Sequence, residues 1–70
     1  MNERDKIAIT LKEYRRRMGW TQRELASAAD LTSQQVSNFE TGLKAIGRRT
    51  ALRLATAFDC PLAKFWKDAP

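Results

Sequence analysis

Thr21-Gln22-Arg23-Glu24-Leu25-Ala26-Ser27-Ala28-Ala29-Asp30-Leu31-Thr32-Ser33-Gln34-Gln35-Val36-Ser37-Asn38-Phe39-Glu40-Thr41-Gly42 carries one helix-start signal twice. Thr21 with Glu24, and Thr32 with Gln35, each form a Thr-x-x-Glu/Gln box. In such a box the hydroxyl takes a free backbone N–H and the longer side chain returns to the threonine N–H. Two short helices therefore start at Thr21 and Thr32. The inner side of one is Leu25, Ala26 and Ala29, and that of the other is Val36 and Phe39. Asp30 tolerates the left-handed conformation better than most residues and stops the former helix; Gly42 stops the latter.

Working outward, Ile7, Leu11, Tyr14 and Met18 recur at steps of three and four and predict a preceding helix with one apolar face. Gly19 ends it, with Trp20 folding back on the last turn. After a loop from Lys44 to Arg49, Ala51, Leu52, Ala55 and Phe58 predict a fourth helical face ended by Asp59. Pro61 suits the first turn of a fifth helix with Leu62, Phe65 and Trp66 on its apolar side. Tyr14, Phe39, Leu54 and Phe58 are core candidates, and no strand-like alternation occurs. The expectation is an all-α, compact five-helix domain spanning residues 1–70.

The composition narrows the chemistry. Seventy residues leave room for one small core and little for an enzyme pocket. With no histidine there is no imidazole base and no His-containing zinc site. No paired carboxylates, metal-ligand spacing or glycine-rich phosphate loop is found, so no catalytic residue, metal or cofactor is expected. A single cysteine, Cys60, read as buried filler, makes no internal bridge, and nothing resembles a signal or membrane segment; a cytoplasmic setting is expected.

The net charge of +5 suggests a polyanionic partner, nucleic acid or a membrane surface, and the balance alone does not choose between them. Its distribution is more informative. From Leu31 to Phe39 there is no charge, yet Ser33, Gln34, Ser37 and Asn38 offer hydroxyl and amide groups of the kind that pair with base edges. Arg15, Arg16 and Arg17 flank this helix on one side in sequence, and Lys44, Arg48, Arg49 and Arg53 on the other; cations of this sort suit phosphates. A polar outer face is also what any solvated helix has.

The paired boxes with Leu25-Ala26, Val36 and Phe39-Glu40-x-Gly42 between and after them resemble the helix-turn-helix of the phage repressor and Cro family, the xenobiotic-response-element-like regulators. The likeness covers residues 7 to 66, with the motif at about 21–42. It implies a lambda-repressor-like fold in which helix 2 lies across the DNA backbone and helix 3, about 32–41, reads the major groove. Position by position, it implies base contacts from Ser33, Gln34 and Asn38 and less regularly from Ser37. Gln22 should bond a phosphate and brace the reading side chains. Gln35 is divided between capping and DNA. Arg15 and Glu40 match a structural salt bridge between helices 1 and 3, which removes Arg15 from the phosphate binders.

Two departures accompany the likeness. Asp30 and Asp59 stand where glycine is common. The loop after Gly42 is one residue longer than in the phage repressors, leaving open which of Lys44, Arg48 and Arg49 reaches a phosphate. The function implied is a sequence-specific double-stranded DNA-binding transcriptional regulator, in the form of a repressor. A homodimer would let it bind two half-sites; Phe65 and Trp66 are candidates either to cap the core or to form its self-complementary patch. The alternative is an antitoxin-type protein whose main task is to hold a protein partner.

Overall fold

The computed structural model describes residues 2–66, which form α1 (Glu3–Arg17), α2 (Gln22–Ala28), α3 (Ser33–Glu40) and α4 (Arg48–Phe58), followed by a single 3-10 turn at Leu62–Lys64. The described helices thus number four, not five. Beyond Pro61 the Lys64 and Phe65 N–H groups donate to Pro61 O and Leu62 O, each three residues back, at 3.1 and 3.0 Å. This tight winding carries Phe65 straight into the core.

The helix ends follow from their sequences. Asn2 accepts from the Asp5 N–H and caps α1, while Thr21–Glu24 and Thr32–Gln35 form complete capping boxes on α2 and α3. Past α1 the Gly19 N–H donates to Arg16 O at 3.0 Å and the Trp20 N–H to Arg15 O at 3.1 Å. That paired pattern satisfies carbonyls the helix leaves open and requires a left-handed residue, which Gly19 supplies at φ 72°. The ends of α2 and α4 repeat it with aspartates, Asp30 at φ 57° and Asp59 at φ 54°. The Leu31 N–H reaches Ala26 O at 2.8 Å and the Cys60 N–H reaches Ala55 O at 3.0 Å.

Packing of α2 on α3, of α3 on α1 and of α4 on the 3-10 turn encloses Leu11, Leu25, Val36, Leu54 and Phe65, the largest fully buried side chains. Each such apolar side chain contributes about 1.5–3 kcal/mol. Phe58 lies at the centre of an aromatic group, 5.4 Å from Tyr14, 5.7 Å from Phe65 and 5.7 Å from Trp20 between ring centroids.

Three expectations about side chains are corrected. Met18 is 47% exposed, because α1 ends at Arg17 and the turn points its last apolar residue outward. Leu52 is 50% exposed, since the buried arc of α4 runs through Ala51, Leu54, Ala55 and Phe58 and leaves position 52 outside it. Phe65 is fully buried against Tyr14 and Phe58 of its own chain, so it offers nothing to a self-complementary surface. Trp66 and Cys60 are half-buried at the edge of the core.

Candidate nucleic-acid interface

The orientation of α3 is set from its far end. Glu40 is its last residue, with a side chain only 1% exposed, and its carboxylate accepts from Arg15 Nε at 2.6 Å, Arg15 Nη2 at 3.2 Å and Gln22 Nε2 at 3.0 Å. Arg15 also donates from Nη1 to Trp20 O at 2.8 Å. A buried charge is tolerated only when its lone pairs are satisfied. Here one carboxylate gathers α1, α2 and α3, and the guanidinium fastens the chain between α1 and α2 as well.

On the outer side of α3, Ser33 and Gln34 are exposed, and Ser37 and Asn38 are half-buried. Gln35 is exposed too, but its Oε1 accepts from the Thr32 N–H at 2.9 Å, which commits that atom to the cap. Gln34 Nε2 donates to Asn38 Oδ1 at 3.0 Å, one turn along the helix. The only acid in α3 is Glu40, inside and paired, so the outer face is neutral and made of groups that both donate and accept.

Lys44, Arg48 and Arg49 are all exposed in the segment that follows α3, the two arginines opening α4. The loop is pinned at both ends: the Lys44 N–H donates to Asn38 O at 3.2 Å, and Ile46 is buried. Arg53 donates from Nη1 to Asp30 O at 3.3 Å, on the turn between α2 and α3. Arg17 lies over the Tyr14 ring, on the side of Ala63 and Lys64.

The structure therefore brings Ser33, Gln34, Ser37 and Asn38 onto one helix, with Lys44, Arg48 and Arg49 in the loop and helix start beyond it. It turns Gln22 inward: one of its amide hydrogens is taken by Glu40, leaving the other and Oε1. Among the side-chain bonds that the sequence does not predict are Arg15 to Trp20 O, Gln34 to Asn38, Gln22 to Glu40 and Arg53 to Asp30. Of these, Gln34 to Asn38 carries a sequence signal, the i, i+4 spacing of two amides on a helix surface. Leu43 is 68% exposed at the exit of α3. No described helix is long and apolar enough to cross a membrane.

Comparison with known proteins adds to this geometry. Residues 11–65 match the helix-turn-helix family model HTH_3. The competence pilus inhibition repressor of Acinetobacter baylyi is 33% identical over 60 residues, an alignment covering 86% of this chain and 54% of that protein. The chain thus spans about half the length of that curated relative. Among solved structures, the restriction-modification controller protein C.AhdI from Aeromonas hydrophila superposes with a TM-score of 0.85 at 28% identity, covering 91% of this chain and 97% of that one. The clp gene regulator ClgR from C. glutamicum gives 0.79 at 26% identity, covering 89% and 80%. An HTH_3 family transcriptional regulator from Vibrio cholerae, 19% identical with a TM-score of 0.82 over 89% of this chain and 35% of that one, shares the fold.

Proposed function

Since the chain belongs to the HTH_3 helix-turn-helix family, we propose that it is a sequence-specific double-stranded DNA-binding transcriptional regulator acting as a repressor. It works by binding, with no catalytic step. Residues 1–70 serve as one DNA-binding domain.

The observation that carries this reading is the neutral, doubly competent face of α3 beside the exposed cations of the following segment. Ser33, Gln34, Ser37 and Asn38 address base edges in the major groove. Lys44, Arg48 and Arg49 neutralise phosphates, which fix register and orientation without reading sequence. Arg15 and Glu40 hold the reading helix at its angle. Gln22 supports them through Glu40 and has one amide hydrogen left for a phosphate. The naming of one relative as a repressor and of others as regulators supports the same function.

One recognition helix contacts few base pairs, so the working form is a homodimer on two half-sites roughly 34 Å apart. Phe65 takes no part in its interface. Selection of bound duplexes from a random pool tests the whole reading. Enrichment of one short sequence, repeated at about one helical turn, is expected; a bound pool with no enriched sequence would refute it.

A further inference from the structure

Gln34 and Asn38 are joined by a hydrogen bond whose direction distributes their remaining chemistry. Gln34 spends one Nε2 hydrogen on Asn38 Oδ1, at 3.0 Å, and keeps Oε1 together with its second N–H. An acceptor beside a donor is the pattern that matches the N6 and N7 atoms of adenine. Asn38 keeps both hydrogens of Nδ2, which suit acceptors such as a purine N7.

We propose that Asn38 is a positioning residue for Gln34, fixing the amide of Gln34 in the orientation that selects adenine, so that the two side chains read as one unit. The inference rests on the DNA-binding function proposed above. Gln34 is exposed at the first turn of α3, and an unassisted glutamine there would have to surrender three free torsions on meeting a base. Asn38 is shorter and half-buried. Its backbone is also anchored, because its carbonyl accepts from the Lys44 N–H at 3.2 Å and from Thr41 Oγ1 at 3.2 Å. In water an amide pair on a helix surface is weakly held. Once DNA excludes that water the same bond strengthens and the glutamine arrives already ordered.

The partition of roles gives Asn38 an influence on a base pair it does not touch. Selection from random duplexes with the wild type and Gln34→Ala identifies the pair that Gln34 reads, as the position whose preference disappears. Asn38→Ala should then lower the adenine preference at that same pair by about fivefold or more, within the range a bidentate contact provides. Asn38→Asp retains the Oδ1 acceptor and should leave that preference within about twofold of wild type, although overall affinity falls. A thermal melt of each variant establishes that the domain is folded. If Asn38→Ala leaves the Gln34 position unchanged and alters only another pair, the two residues read independently and the proposal is wrong. If Gln34→Ala changes no position, or the wild type selects no sequence, the reading of α3 fails and this inference goes with it.

Discussion

Glu40 and Arg15 meet through two hydrogen bonds, Nε to Oε2 at 2.6 Å and Nη2 to Oε1 at 3.2 Å, with the carboxylate side chain 1% and the guanidinium side chain 14% exposed. The pair joins α3 to α1 and therefore connects the stability of the domain to the angle of its reading helix.

Replacing one partner leaves the other charge buried and unpaired. Glu40→Ala should destabilise the fold by roughly 3–5 kcal/mol. Gln22→Ala removes one donor of three and should cost about 1–2 kcal/mol. Urea unfolding monitored by far-ultraviolet circular dichroism ranks them; a loss for Gln22→Ala as large as that for Glu40→Ala would contradict the account of Glu40 as the shared buried acceptor.

Asp59 holds a left-handed conformation at φ 54° that costs a side-chain-bearing residue free energy and costs glycine almost none. Asp59→Gly should stabilise the domain by about 0.5–1 kcal/mol after allowing for the greater freedom of the unfolded glycine. A lowered melting temperature would show that the carboxylate makes a compensating interaction.

Gly19 and Gly42 both sit at positive φ, 72° and 77°, but a Cβ on Gly42 would stand 2.9 Å from Asp5 Oδ1 whereas one on Gly19 meets nothing within 4 Å. Both Gly→Ala changes are destabilising, by about 1 kcal/mol for the backbone alone. Gly42→Ala should be slightly the more damaging because the Asp5 carboxylate must also swing aside. Equal melting temperatures for the two variants would contradict this.

Burial raises the pKa of the Cys60 thiol above its ordinary value, with Asp59 adding to the rise and Lys64 opposing it. The folded chain therefore holds that proton more tightly than the unfolded chain. Any stability from this source is complete below the unfolded thiol's pKa, about 8.5, and is lost as pH rises through the folded value. At pH 8 iodoacetamide should alkylate the folded protein more slowly than the urea-unfolded chain. An equal or faster rate in the folded state would overturn the assignment.

How much of this was legible in the sequence divides along the range of the interactions. The starts of α2 and α3 and the stops at Gly19, Asp30, Gly42 and Asp59 depend on residues within one turn, so their letters suffice. Met18 and Leu52 misled because steps of three and four admit an apolar residue just outside the buried arc, and only the packed neighbours decide. Phe65 was ambiguous between core and surface since its burial depends on Tyr14 and Phe58, distant in sequence. On the candidate interface the chemical types on α3 were readable. That Gln22 turns inward to Glu40 was not, because a half-buried amide has partners on either side and the tertiary position of the carboxylate selects one.

The division of labour between α3 and the segment after it is the central claim, and it is tested most directly by comparing Gln34→Ala and Arg49→Ala on a selected duplex and a scrambled one at a single fixed salt concentration. Gln34→Ala is expected to lose about 1–3 kcal/mol on the selected duplex and almost nothing on the scrambled one, and Arg49→Ala to weaken both alike. Equal losses from the two substitutions on both duplexes would contradict it.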